Sequence, residues 1–469
     1  MSASKSHLGQ GDRFAEGPAP ELVAAPFTLE AGDGPLLHPG LNLADLAHAV
    51  MLIEAGLIPP APGAQLLAEL LALHAIPAAD FPFDPAHGDA YTNREQYLRR
   101  RIPRAAGWLK AGRPRREATT IAYLLAVRAR LLALSGALTR LLRAILTLAE
   151  AHPATLMPDY TYLQPAQPTT LAHYLLTFAH PVARDLDRLR SAFARANRSP
   201  AGSGSVNGSR LPLNRDRLAE LLGFDGLALH TRDAMWQPDL PIEVMAVAVA
   251  ALVNADRLAE DLQIWASAEF GMVELADRHS RISLIMPQKK NPYSLAFVRG
   301  AAREMIGQLA GMAALGATPS GQVDNRIFAY GGVPRALERA AAAANLLAAT
   351  LSGLSVKREV MARRAAQGLS GATDLADVIM LEANLDAGTA HRIVGRAARA
   401  ALELGQPLDA PLLDAAAAEI TGAPLTLPEA TVAGAMDPAA IVGSRRGPGG
   451  AAPEPVTALS DEEYTHRRP

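Results

Sequence analysis

The sequence predicts an all-α protein built around a bundle of long helices. Ala and Leu dominate the chain and aromatic residues make up only 5% of it, a composition that favours helix over sheet. Apolar residues recur at three- and four-residue spacings through several long stretches. One runs without interruption over 242–271 and, at about 1.5 Å per residue, would span roughly 45 Å. Others cover 117–150, 292–315 and 333–354. Helices this long and this apolar pack as bundles and commonly oligomerise.

Taken in order, residues 1–28 mix Gly and Pro with polar residues and read as a flexible arm. Residues 29–111 form an N-terminal domain of shorter helices. One of these is expected to start at Leu43, with Asn42 as N-cap, and to close at Gly56. His48 lies within it, and its plain reading is a hydrogen-bonded histidine in a domain contact. Residues 112–355 form the central long-helix domain, 356–457 a small C-terminal helical domain, and 458–469 a disordered tail.

The chain has 469 residues, enough for a large core. With 45 basic and 47 acidic residues it has no global field that would favour nucleic acid or an anionic membrane. It has no cysteine, so disulfides and thiolate metal sites are excluded, and a reducing cytoplasm suits it. The first residues have no apolar core of a signal peptide, and the longest apolar run, near 244–253, is far below membrane-spanning length. Nothing in the sequence points to a metal or an organic cofactor.

The stretch over 279–299 carries the chemistry. Its centre is Ser283-Leu-Ile-Met-Pro-Gln-Lys-Lys-Asn-Pro292. Pro287 and Pro292 deny helix at both ends of the segment between them. The result is a loop between two long helices that presents a hydroxyl, two ammonium groups and an amide. The plain alternative is a solvated loop whose lysines only face water.

Three other stretches are candidates for binding. Arg113-Pro-Arg-Arg116 leads into the 117–150 helix, with Pro114 well placed for its first turn. A helix N-terminus with nearby arginines favours carboxylates, although a solvated basic face is the plainer reading. Met157-Pro-Asp-Tyr-Thr-Tyr-Leu-Gln-Pro-Ala-Gln-Pro168 is a proline-punctuated turn before another long helix. Residues 199–210 are Gly- and Ser-rich and read as a flexible loop, either a linker or a backbone that approaches substrate. They lack the Gly-Lys-Ser/Thr ending of a phosphate-binding loop.

Together these motifs resemble the fumarase/aspartase superfamily, and the Met286-Pro-Gln-Lys-Lys-Asn-Pro292 form resembles argininosuccinate lyase. The resemblance runs from about Pro26 to about Val456. It includes Ala219-Glu-Leu-Leu-Gly-Phe-Asp225, Arg257-Leu-Ala-Glu-Asp-Leu262, Ala372-Thr-Asp-Leu-Ala-Asp377, Met436-Asp-Pro438 and Ser444-Arg445. It implies three mostly helical domains, a twenty-helix core in a homotetramer, and active sites shared between subunits. It also implies β-elimination across a succinyl group, releasing fumarate, with a small anionic substrate as partner. On this resemblance Ser283 is the base and Lys289 supplies charge beside it. Thr161, Gln164, Asn291 and Arg115 hold carboxylates. Arg113, Arg116 and Met286 complete the candidate binding set.

The chain departs from the family pattern at several of these places. Ile282-Ser283-Leu284 replaces Gly-Ser-Ser. Tyr162 stands where the family has its acid-side histidine, and Ala296 where it has the paired glutamate. Tyr91 replaces another histidine, and Pro114 and Arg116 replace a serine and an asparagine. A run that binds argininosuccinate is largely missing over 319–330. The expectation is therefore a carbon–nitrogen lyase acting on a succinyl-amine or related anionic acid, with Tyr162 as a phenolic acid or a pocket-filling aromatic. The alternatives are an authentic argininosuccinate lyase of arginine biosynthesis and a catalytically idle homologue that keeps the bundle.

Overall fold

A computed structural model describes residues 16–319 and 325–466, with 461–466 described by backbone alone. The expected all-α class is borne out. Long helices dominate, and the strands among the described residues form three two-stranded pairs. The chain divides into two compact units. The first comprises Met1–Ala137, Asp185–Val253 and Ala301–Ala343; the second comprises Leu138–Arg184, Asn254–Gly300 and Ala344–Pro469.

The first unit begins with short helical pieces, Pro20–Leu22, Val23–Phe27 and Thr28–Gly32, in the segment expected as a flexible arm. Residues 1–15 of that expectation lie outside the described residues. Helix α1 (Gly34–Glu54) starts well ahead of the expected Leu43. Asn42 is thus no N-cap. It is buried within the helix, where its Oδ1 accepts a 2.6 Å hydrogen bond from Arg94. A long-range partner, not the local sequence, decides its role. Helices α2 (Pro60–His74) and α3 (Ala90–Arg101) follow, and Asp89 caps α3 by accepting from the Thr92 N–H at 2.8 Å.

Helix α4 (Arg115–Glu150) starts directly after Pro114, as the proline predicts. The 199–210 stretch is not the flexible linker that composition suggests. Ala201, Gly202, Ser203 and Gly204 are buried, and the N–H groups of Gly202 and Gly204 donate to the Glu117 carboxylate at 2.7 and 2.6 Å. Gly204 has φ +66, and a Cβ there would meet the Gly208 carbonyl oxygen at 2.3 Å, so the turn requires glycine.

In the second unit the proline-punctuated segment is an antiparallel hairpin, β1 (Leu156–Thr161) with β2 (Gln164–Thr170). Helices α5 (Leu171–Ala196) and α6 (Asp239–Trp265), each divided between the two units, follow it, and α6 ends short of the expected residue 271. Strands β3 (Val273–Glu274), β4 (Arg281–Ile282) and β5 (Lys290–Asn291) then frame the signature loop, β4 pairing with β5. Helix α7 (Tyr293–Leu315) starts where Pro292 allows. Helix α8 (Ile327–Ser352) begins upstream of the expected 333 and carries Pro334 inside it. Strand β6 (Ser355–Val356) pairs with β3.

Beyond β6 a smaller group of helices, including α9 (Ala372–Glu382), α10 (Ala387–Leu404) and α11 (Ala410–Thr421), encloses its own core around Leu375, Ile379, Ile393, Ala397 and Leu413. Asp386 and Asp409 cap α10 and α11, and Gly405 and Gly422 end them with positive φ. Helix α12 (Pro453–His466) occupies most of the segment expected as a tail. Residues 467–469 lie outside the described residues. Both α1 and α4 are long and apolar enough to cross a bilayer, yet more than half of each apolar window is buried within the protein.

Candidate active site

In the first unit the arginines at the start of α4 are fixed by carboxylates. Arg113 is 2% exposed; its Nη2 donates to Asp45 Oδ1 at 2.5 Å and its Nη1 to the Ala44 carbonyl at 2.8 Å. Asp45 also accepts from the fully buried Arg94 at 2.7 Å. Burial would raise the Asp45 pKa, but Arg113 and Arg94 outweigh it and hold the carboxyl below its usual range. His48 packs beside this triad, and its Nε2–H donates to the Ala111 carbonyl at 2.9 Å, a hydrogen bond within the first unit and not between domains.

Arg115 is exposed and pairs with Asp89 at 2.8 Å. Arg113 and Arg115 line a cavity of about 570 Å³ with Tyr91, Thr92, Glu95, Lys110 and Pro114. Each of its cations faces an acid, because Lys110 pairs with Glu95 at 2.5 Å. Tyr91 is buried below the Arg113 guanidinium, and burial pushes its phenol up to about 12. Arg116 is half-buried, and its carbonyl accepts from the Thr120 hydroxyl at 2.8 Å. Glu117 lies one residue further on. Burial pushes its carboxyl up to about 7 against the opposing N–H bonds of Gly202 and Gly204 and the charge of Arg113.

In the second unit the hairpin presents Thr161, Tyr162 and Gln164 at its tip. Thr161 pairs with Gln164, leaving Tyr162 and Leu163 as a two-residue turn with φ values of 54° and 58°. Positive φ at both positions is the turn geometry that matches strand twist, and it is normally supplied by Asn and Gly. Tyr162 is 100% exposed.

The signature loop is held at its base. Arg281 is opposite Asn291 and Ile282 opposite Lys290, and the Asn291 amide donates to the Arg281 carbonyl at 2.9 Å. Lys290 is fixed by Asp277 at 2.7 Å and Glu274 at 3.1 Å. Ser283 is half-buried, and its Oγ accepts the Met286 N–H at 3.2 Å; the Lys289 N–H turns back to the Met286 carbonyl at 3.0 Å. Lys289 and Met286 are exposed, as is Leu284 at 98%. The structure thus places Ser283, Met286, Lys289 and Asn291 on one loop, and Thr161, Tyr162 and Gln164 on one hairpin. No hydrogen bond or ion pair among the described residues joins the two groups.

Sequence reasoning missed Asp45, Arg94 and Glu117. Glu117 had a local signal, an acid in a helix first turn beside arginines. Asp45 and Arg94 had none, since their partners lie about fifty or more residues away. Among the described residues no group of three or more His, Asp or Glu side chains is arranged to hold a metal.

A family model described as a lyase matches residues 52–307. The argininosuccinate lyase of Methanoculleus marisnigri is 37% identical over 428 residues, covering 90% of this chain and 86% of the relative. The chain belongs to the argininosuccinate lyase family. The enzyme of that name from Stutzerimonas stutzeri is 34% identical, covering 88% of this chain and 89% of the relative. Among solved structures, an EDDS lyase variant with bound fumarate and EDDS lyase in complex with formate each align with a TM-score of 0.85 and 30% identity, covering 96% of this chain and 90% of theirs. A 3-carboxy-cis,cis-muconate lactonizing enzyme from Pseudomonas putida, at 19% identity and a TM-score of 0.74, shares the fold. As a member of this family the chain is a carbon–nitrogen lyase working by β-elimination.

Proposed function

We propose that this chain eliminates an amine from a succinyl-amine and releases fumarate, with Ser283 as the base. The observation that carries the proposal is the joint presence of Ser283, Lys289 and Asn291 on one strand-pinned loop of a family member. The bound fumarate of the EDDS lyase variant supports fumarate as product. Ser283 Oγ, as alkoxide, takes the proton beside one carboxylate. The electron pair of that C–H bond spreads into the carboxylate, then forms the C=C bond as the C–N bond breaks. The departing nitrogen takes a proton from Tyr162. The Lys289 ammonium stabilises the alkoxide, and fixed charge of this kind is usually the largest catalytic contribution.

Thr161, Gln164, Asn291, Arg115 and Arg116 bind substrate carboxylates, Met286 packs beside them, and Arg113, held by Asp45, shapes the turn that presents Arg115. No step is assigned to a metal or an organic cofactor. The working form is a homotetramer whose subunits share active sites, a reading supported by the exposure of Tyr162 and of the apolar signature loop. The compartment is the cytoplasm, in keeping with a chain that lacks cysteine. The names of the relatives favour a second reading, cleavage of argininosuccinate itself. Tyr162 and Ala296 in place of the histidine and glutamate argue for a different amine.

Fumarate absorbance with the purified protein and a panel of amines tests the proposal. Ser283→Ala should lose about a thousandfold or more in rate, and Tyr162→Phe about a hundredfold or more, with the assembly intact by gel filtration. A fully active Ser283→Ala would remove the base. No fumarate chemistry with any amine or with argininosuccinate would sink the proposal.

A further inference from the structure

We propose that Glu117 is a positioning residue: by gripping the 199–210 loop it holds the arginine turn at the start of α4, and so sets how tightly the chain binds a substrate carboxylate. The inference rests on the reading of Arg115 given above and deepens it. Glu117 is fully buried, two residues beyond Arg115. Each of its oxygens takes one loop N–H, Oε1 from Gly202 at 2.7 Å and Oε2 from Gly204 at 2.6 Å. Both glycines have positive φ, and a Cβ on Gly202 would meet Arg215 Cγ at 2.6 Å, so glycine lets the loop come this close. Arg215 holds the same loop, its Nε donating to the Ala201 carbonyl and its Nη2 to Ser203 Oγ, both at 3.1 Å.

This loop sits directly against the turn that precedes α4. A Cβ on Gly112 would meet Ser209 Oγ at 2.9 Å and Leu213 Cδ1 at 3.0 Å. The turn that presents Arg115 thus has two anchors within the first unit, Asp45 on Arg113 and the Glu117-bound loop against Gly112. An enclosed carboxylate is costly. Here two N–H donors and the first turn of α4 meet its charge. A protonated carboxyl cannot do the same. Its O–H would face one of the two N–H groups, leaving that donor buried without an acceptor. Burial pushes the Glu117 carboxyl up to about 7, opposed by the N–H groups of Gly202 and Gly204 and by the charges of Arg113 and Arg215. Those two arginines are the charged groups that face it, and both stay charged throughout. The grip on the loop is therefore complete above about pH 7 and is lost as pH falls below it.

Calorimetry of fumarate binding to the assembled protein, with no amine present, tests this. Fumarate remains a dianion from about pH 8 to about pH 6, so a change of affinity there belongs to the protein. Wild-type affinity should fall about fivefold or more over that range. Glu117→Gln, whose amide N–H would face one of the two loop N–H groups, should bind fumarate about tenfold more weakly at pH 8 and without the pH dependence. Glu117→Asp keeps the charge and should restore part of the affinity. In turnover with one fixed amine, Glu117→Gln should raise KM about tenfold and leave kcat within about threefold, as expected for a carboxylate clamp that acts equally on substrate and transition state.

A role in folding alone would lower the yield of assembled protein without moving the KM-against-kcat split or the pH profile. Wild-type fumarate binding that stays flat across this range overturns the inference, whether or not the variants fold. So does a Glu117→Gln protein that keeps wild-type affinity at pH 8. A wild-type protein that binds no fumarate at any pH would instead overturn the reading of a fumarate site, and the inference with it.

Discussion

Asp45 is enclosed by two guanidinium groups, and neither it nor Arg94 reaches solvent. Such a triad is weak evidence of net stability, but removing one member strands the others in a low dielectric. It fixes Arg113, and with it the turn into α4. His48 shares this environment. Burial and then Arg113 push its imidazole down to about 3. The unfolded chain takes up that proton below about 6.5, whereas the folded chain does so only near 3. Stability should therefore fall as pH drops from 6.5 towards 3, by up to about 1.4 kcal/mol per pH unit from this residue. His48→Gln, which keeps a donor for the Ala111 carbonyl, should flatten that slope. Urea unfolding at pH 7, 6 and 5 measures it, and a slope unchanged in the variant would assign the effect to other groups.

At the scale of elements, the β1–β2 hairpin closes on two residues in a backbone region that non-glycine side chains disfavour. Leu163 is more than half exposed, so little packing offsets the strain in the isolated chain. Leu163→Gly should stabilise the protein by about 1 kcal/mol in chemical denaturation. A loss of stability would show instead that Leu163 is packed against a neighbour in the assembled protein. The loop around Gly202 and Gly204 is the converse case. A distant carboxylate, Glu117, satisfies two of its buried N–H groups that a free loop would give to water.

For the whole molecule, the candidate residues of the second unit fall into two groups with no bond between them, and both are presented to solvent. If a site combines the hairpin of one subunit with the signature loop of another, two inactive variants should rescue each other. Ser283→Ala and Tyr162→Phe, mixed, unfolded and refolded together, should regain up to about a quarter of wild-type activity through random assembly. Refolding to an oligomer without recovery would place both residues in sites built from one chain. The exposed apolar residues Ile282, Leu284, Ile285 and Tyr162 are the surface such an assembly would cover.

Helix content, the long-helix core, the loop bounded by Pro287 and Pro292, and the start of α4 after Pro114 were all legible in the sequence. Each follows from local rules, whether apolar periodicity, propensity or the geometry of proline, so neighbours in sequence suffice to read it. The Asn42 cap, the linker reading of 199–210 and the start of α8 were decided elsewhere. In the first two, a partner distant in sequence supplied what the local pattern lacked: Arg94 for Asn42 and Glu117 for Gly202 and Gly204. Hydrogen bonds and charges act through space, so the chain encodes these groups, but only its folding says which of them meet.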